Sequence, residues 1–233
     1  MPLKMKYPST QLAHQYYVRH FIMQDVPMGD EQDYNVNVDF QNYYDAAWFG
    51  APIVYPDCNV PSSEPFLTDS NKYDFLKQKP NVWNDFMKRN VHYGEYMAEK
   101  CQNMTYRGKK VNLNGISMFG TDGAMTVACN IRGTTEFCID LYEDKEYALN
   151  LLDYINEALI ERILALREKY SVPTMEGFWF ADDSIALLQI KIIKNTYSQD
   201  ISGWLKQHLY LPNLDLFIYA GMLSVILKQF MMN

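Results

Sequence analysis

Residues 144–170 read DKEYALNLLDYINEALIERILALREKY. Apolar side chains recur in this stretch at intervals of three and four residues, with Glu, Asp and Arg between them. This spacing places the apolar side chains on one face of an α-helix, so the stretch predicts a long amphipathic helix that begins near Asp144. The apolar positions on that face are Ala148, Leu151, Leu152, Ile155, Leu159, Ile163 and Leu166.

The segments on either side of this helix have the composition of strands. Residues 111–120 (VNLNGISMFG) precede it and run into a segment rich in Gly, Thr and Asp that we expect to be a loop. Residues 174–183 (TMEGFWFADD) follow the YSVP segment that ends the helix. A strand, a long helix and a second strand in this order are typical of two parallel strands joined by a crossover. The sequence therefore predicts an α/β fold.

The amino-terminal part of the chain predicts one more strand and several helices. The strand is expected within the apolar run at 45–56, DAAWFGAPIVYP, where the residues around Ile53 and Val54 have the character of a buried strand. Helices are expected at 10–24, directly after the capping residues 69–71, and at 81–102.

Composition and charge narrow the class of protein. A chain of 233 residues is close to the roughly 250 residues of a single barrel domain. The net charge of −7 argues against a nucleic-acid partner, which usually requires a basic patch. The most apolar stretch, 216–227, is too short to span a bilayer, and the first residues lack the apolar core of a signal peptide, so we expect neither a membrane span nor a signal peptide. Four cysteines without CxxC spacing are typical of reduced thiols, so we expect a cytoplasmic protein without a membrane partner.

Four stretches resemble one enzyme family in order and spacing. They are the segment DCNVP at 57–61, GTDGAMTVACNIRG at 120–133, EFCIDLYEDKEYALNLLDYINEALIERI at 136–163, and EGFWFADDSIALL at 176–188. Over residues 45–188 the chain resembles the uroporphyrinogen decarboxylase family. The resemblance implies that residues 1–188 form the amino-terminal portion of an incomplete (β/α)8 TIM barrel.

The family contains decarboxylases of the tetrapyrrole pathway and methyltransferases that move methyl groups between corrinoid proteins and thiols. The Arg-rich motif with which the decarboxylases hold substrate carboxylates is absent here, and Arg19 is the only arginine near its position. The resemblance therefore favours a thiol methyltransferase, with a small-molecule substrate or a corrinoid protein as partner. A decarboxylase, or a non-catalytic barrel that binds a tetrapyrrole or a corrinoid protein, remains as an alternative.

The resemblance stops at Gln189, where a helix and a fourth strand should follow. When residues 189–233 are read in a shifted frame, the encoded residues do not require a stop codon anywhere in the stretch. One sequence that this frame allows contains a strand ending in H-L-C-G-D, which resembles the family's fourth barrel segment. We therefore interpret 189–233 as an out-of-frame tail that is irregular or non-native, and we expect the printed chain to be inactive.

Zinc-binding methyltransferases of the family use an H-x-C pattern, which the printed chain lacks. We expect no metal in the printed chain and zinc in an intact parent.

Candidate site residues follow the predicted strands, where barrel enzymes place their chemistry. Asp182 and Asp183 follow the third strand and are candidate catalytic carboxylates, with Ser184 as a candidate substrate ligand. The same three residues would also make a good helix cap. Asp57 follows the first strand and matches an essential aspartate of the decarboxylases, although an aspartate in a loop is commonly a turn former.

The second loop supplies the remaining candidates for substrate binding, namely Thr126, Asn130 and Arg132. Asn130 stands where the decarboxylases carry a tyrosine. Arg132 could hold a carboxylate or phosphate of a substrate, or it could form a surface ion pair with Glu136, and the ion pair is the interpretation that we favour.

Overall fold

The computed structural model describes residues 34–36, 38, 43–56, 61–106, 108–113, 120–171 and 180–184. Within these ranges the chain is a mixture of helices and short strands, in which the helices predominate. The elements in chain order are β1 (Tyr34–Val36), α1 (Tyr44–Trp48), β2 (Ile53–Val54), β3 (Ser62–Ser63), α2 (Lys72–Phe75), α3 (Asp85–Cys101), β4 (Thr105–Tyr106), β5 (Lys109–Leu113), β6 (Thr121–Asp122), α4 (Ala124–Arg132), α5 (Thr134–Glu143), α6 (Lys145–Tyr170) and β7 (Phe180–Ala181).

The chain divides into two compact units. The first contains residues up to 44, 53–62 and 83–118, and the second contains residues 45–52, 63–82 and 119 onwards. The expected helix at 10–24, the candidate Asp57 and the tail at 189–233 lie outside the described residues.

The first unit contains a three-stranded sheet in the order β1-β5-β4, in which β1 and β5 are parallel and β4 and β5 are antiparallel. Helix α3 packs against β5. It begins at an asparagine cap, because the Asn84 side chain accepts a hydrogen bond from the Met87 backbone N–H at 2.9 Å. The buried residues that form the core of this unit are Val36, Val38, Met97, Cys101 and Val111.

In the second unit, β6 and β7 form a parallel pair with Thr121 opposite Phe180 and Asp122 opposite Ala181. Helices α4, α5 and α6 follow β6 in the chain and pack against one another. The predicted helix is confirmed, since α6 begins at Lys145 and its apolar face is buried. In the chain it lies between the parallel strands β6 and β7, whereas part of the strand expected at 111–120 belongs to β5 in the first unit. The helix ends where Ser171 adopts a left-handed conformation, with φ of 53°.

The expected loop at 120–133 is wrong, because Ala124–Arg132 is a helix. The glycines that suggested a loop lie at its two ends, and Gly133, with φ of 98°, separates α4 from α5. The strand expected near Ile53 is present, but it covers only Ile53–Val54 and is half-buried rather than buried. None of the helices within the described ranges has both the length and the apolar character needed to cross a bilayer.

The packing of α5 can be tested with two substitutions on the same helix. The Phe137 side chain is fully buried, with 0% exposed, whereas Ile139 is 48% exposed. We expect Phe137→Ala to lower the free energy of unfolding by about 3–5 kcal/mol, because it leaves a cavity in the core. Ile139→Ala should change it by less than about 1 kcal/mol. Equal effects in urea denaturation of the two variants would contradict this packing.

Candidate active site

Acidic side chains gather where β6 and β7 end. Asp122 is the last residue of β6, and Asp182 and Asp183 directly follow β7. The two strands stay in register to their ends, since the Gly123 backbone N–H donates a hydrogen bond to the Ala181 carbonyl oxygen at 2.6 Å. Because parallel strands present their carboxyl ends at one edge, the three carboxyl groups belong to the same part of the second unit.

Asp45, on helix α1, links this edge to the interior of the unit. Its side chain is buried, with 3% of the residue exposed. One carboxylate oxygen accepts the Asp122 backbone N–H at 2.8 Å, and the other accepts the Thr121 hydroxyl at 3.1 Å. Asp45 therefore holds the last two residues of β6 through both of its oxygens.

Arg162, on α6, is the cationic partner of Asp45. Its side chain is completely buried, and its Nη2 donates to the Asp45 carboxylate and to the Thr121 hydroxyl, the latter at 3.2 Å. The guanidinium also lies 4.7 Å from the ring centroid of Trp48, where a cation–π attraction adds to the ion pair. A buried arginine requires such partners, because removal of its charge from water costs several kcal/mol.

Asp182 acts as the cap of helix α4 from outside that helix. Its carboxylate accepts the Thr126 backbone N–H at 2.8 Å, the Thr126 hydroxyl at 2.7 Å and the Met125 backbone N–H at 3.3 Å. The residue at the usual capping position is Gly123, which has no side chain to do this. A Cβ at Gly123 would overlap the Asp182 side chain, so the close approach requires glycine here.

Thr126 connects Asp182 to Ser184. Its hydroxyl donates to Asp182 and accepts the Ser184 backbone N–H at 3.1 Å. The structure thus brings together three residues that the sequence nominated as site residues. Asp183 lies beside them and is exposed. Asp182 caps α4, whereas the helix that Asp182, Asp183 and Ser184 were expected to cap, from residue 185 onwards, lies outside the described residues.

The protonation of Asp122 is strongly altered by its surroundings. Burial raises the pKa of Asp122 from its ordinary value of 3.8 to about 7, and the negative charges of Asp45, Asp182 and Asp183 act in the same direction. The charge of Arg162 opposes the shift. A carboxyl group with a pKa near 7 exists in both protonated and ionised forms at neutral pH, as a general acid or base requires.

Arg132 lies apart from this cluster in the same unit. It is buried, with 7% exposed, and it donates to Asp140 at 2.7 Å, to Asp69 at 2.5 Å and to the Leu67 carbonyl oxygen at 3.1 Å. The expected surface pair with Glu136 is wrong, because the arginine turns inward to Asp140. These bonds favour a structural role over substrate binding. Asn130 lies half-buried on α4.

Sequence reasoning missed three members of the cluster: Asp45, Asp122 and Arg162. A signal for Arg162 was present, since it lies three residues after Leu159 and four before Leu166, on the apolar face of α6. A charged residue on such a face requires a buried partner. Asp45 gave no local signal, because its partners lie 76 or more positions away in the sequence.

Among the described residues, no three His, Cys, Asp or Glu side chains converge as ligands for a metal ion. These residues do not fit a zinc site, so the zinc that the resemblance implies for an intact parent would have to be held by other residues. Comparison of the chain with family models, curated proteins and solved structures finds no match.

The structural role of Arg132 predicts a loss of stability on its replacement. We expect Arg132→Met to lower the free energy of unfolding by about 2–3 kcal/mol, because Asp140 would lose two charge-assisted hydrogen bonds and keep only Lys72 as a buried cationic partner. Arg89 is exposed on α3, and Arg89→Met should change stability by less than about 0.5 kcal/mol. If thermal denaturation showed equal stability for the two variants, Arg132 would not have this role.

The raised pKa of Asp122 predicts how stability depends on pH. Between pH 4 and 7 the folded chain holds the proton more tightly than the unfolded chain, so stability falls as pH rises through this range. The variant Asp122→Asn carries an amide at this position, which has no such proton. From pH 5 to pH 8 the free energy of unfolding of the parent should therefore fall by about 2 kcal/mol relative to that of the variant. Parallel stability curves for parent and variant would contradict the shift.

Proposed function

We propose that this chain is the amino-terminal part of a cytoplasmic barrel enzyme related to the uroporphyrinogen decarboxylases, and that the intact enzyme transfers a methyl group from a corrinoid protein to a thiol. The resemblance of residues 45–188 supports the family and the TIM-barrel fold. The parallel pair of β6 and β7, with helices α4 to α6 between them in the chain, agrees with such a barrel.

The observation that carries an enzymatic function is the Asp122 carboxyl at the ends of two parallel strands. In (β/α) barrels this edge holds the catalytic groups. A carboxyl group whose pKa is raised to about 7 by burial and by neighbouring carboxylates is typical of sites that move a proton. Asp122 is therefore the residue that we assign to proton transfer, and Thr126 and Ser184, which are linked by a hydrogen bond beside Asp182, are the candidate substrate ligands.

In a thiol methyltransferase, proton transfer serves to generate the nucleophile. The thiol of the acceptor gives its proton to the ionised Asp122 carboxylate, and the sulfur then forms a bond to the methyl carbon. The carbon–cobalt bond breaks as the sulfur–carbon bond forms, and both of its electrons stay on cobalt. A carboxylate with a pKa near 7 is a stronger base than an ordinary aspartate, which favours the first step.

The charges around Asp122 favour a thiol over a polycarboxylate. Asp45, Asp182 and Asp183 surround it, while Arg162 donates to Asp45 and Arg132 to Asp140. A substrate with several carboxylates would meet negative charge at this edge. One feature of the site also fits a decarboxylase, because the protonated form of Asp122 could donate a proton to the carbanion that loss of CO2 leaves.

The proposal is tested with the full-length product of the gene, once sequencing across codon 188 has established the reading frame. Methylcobalamin, a small thiol and added zinc are supplied, and demethylation is followed by the absorbance of the cobalamin. We expect turnover, and we expect Asp122→Asn to lower kcat about 100-fold or more. Asp85→Asn, a matched change at an exposed position with 96% of its side chain accessible, should leave kcat unchanged.

Other outcomes would point to the alternatives. Release of CO2 from uroporphyrinogen without methyl transfer would favour the decarboxylase. Binding of a tetrapyrrole or a corrinoid protein with neither reaction would favour a non-catalytic barrel.

A further inference from the structure

Asp45 is a buried carboxylate that contacts both the end of β6 and helix α6. It bonds to the backbone N–H of the residue whose side chain we assign to proton transfer, so its charge lies within a few ångströms of Asp122. Its second oxygen receives the Thr121 hydroxyl and Arg162. Three elements, α1, β6 and α6, therefore meet at a single carboxylate.

We propose that Asp45 and Arg162 are positioning residues for the proposed site: they fix the end of β6 and hold a carboxylate charge beside Asp122, and in this way they set the pH at which Asp122 changes charge. This inference rests on the role proposed for Asp122. In this inference Asp45 and Arg162 do not contact the substrate, and they affect the reaction only through Asp122.

Because the Asp45–Arg162 pair is buried, its charges act strongly on the Asp122 carboxyl. Asp45 is 3% exposed and Arg162 is completely buried, so solvent and salt screen their fields weakly. Asp183 also faces Asp122, but it is exposed, and its field should be screened far more strongly. Asp182 faces Asp122 as well, and its carboxylate accepts hydrogen bonds from the backbone N–H groups at the amino-terminal end of α4.

Asp45 and Arg162 act on the ionisation of Asp122 in opposite directions. The negative charge of Asp45 disfavours ionisation of Asp122, and the positive charge of Arg162 favours it. Replacement of Asp45 by asparagine removes the first effect and leaves the second. The Asp122 carboxyl should then ionise at lower pH. Asparagine has one oxygen acceptor, so it keeps either the bond to the Asp122 N–H or the bond to Arg162, and its NH2 group takes the place of the other carboxylate oxygen.

The test is an NMR titration of the 233-residue chain labelled with ¹³C at the aspartate carboxyl carbons. The Asp122 signal is assigned by its loss in Asp122→Asn. In the parent we expect a midpoint of about 7. In Asp45→Asn the midpoint should fall by about 1 or more. In Asp45→Glu, which keeps the charge, it should stay within about 0.5 of the parent.

Two controls separate this role from a merely structural one. Asp140→Asn makes the same change at a buried aspartate that binds Lys72 and Arg132, away from the cluster. It should lower stability and leave the Asp122 midpoint unchanged. Asp183→Asn should move the midpoint by less than Asp45→Asn does. If Asp45→Asn fails to fold, Arg162→Gln answers the question with the opposite sign, because loss of the cation should raise the midpoint.

An unchanged Asp122 midpoint in folded Asp45→Asn or Arg162→Gln would overturn the inference, as would a fall in Asp45→Glu to the ordinary value for aspartate. The titration does not depend on turnover. A shifted midpoint together with no methyl transfer would therefore leave this inference standing and remove the proposed function, and the reverse result would remove only the inference.

Discussion

The Arg162 guanidinium lies wholly inside the second unit, and the Asp45 carboxylate lies against it. Burial of two opposite charges costs several kcal/mol for each ion, and the cost is offset only when the remaining hydrogen-bonding capacity is also used. Here the Asp45 carboxylate also accepts hydrogen bonds from the Thr121 hydroxyl and the Asp122 N–H. The pair can exist only if α1, β6 and α6 are all in place, and this dependence couples distant parts of the sequence.

The same constraint explains the arrangement at the ends of the two strands. With β6 held by Asp45, β7 pairs beside it and delivers Asp182 to the amino-terminal end of α4. That helix lacks a capping side chain of its own, because Gly123 must leave room for Asp182. The carboxylates are thus placed by hydrogen bonds to backbone and by packing, and burial, together with the negative charges of the neighbouring carboxylates, raises the pKa of Asp122.

Much of the secondary structure could be predicted from local patterns, whereas the site could be predicted only in part. The apolar stripe of α6 is long and regular, so its existence and start were evident from spacing. Helix α4 was mistaken for a loop because its bounding glycines outweighed the short apolar pattern between them. Thr126, Asp182 and Ser184 were nominated from their places after strands, and the structure brings them together.

Asp45 and Arg162 escaped prediction because their pairing spans 117 positions of the sequence. Arg132 was expected to pair with its sequence neighbour Glu136 on the surface, while the fold supplies Asp69 and Asp140 as partners. In both cases the decisive contact is non-local, and a pattern read within a few residues does not contain it. A charged residue on an apolar helix face is the kind of local conflict that points to such contacts.

The central claim is that the Asp45–Arg162 pair organises the second unit, and a double-mutant cycle tests it most directly. The free energies of unfolding of the parent, Asp45→Asn, Arg162→Met and the double variant are measured by urea denaturation. We expect each single variant to lose about 3–5 kcal/mol and the double variant to lose little more than either, which gives a coupling energy of about 3 kcal/mol. Additive losses, with a coupling energy below about 0.5 kcal/mol, would contradict the claim.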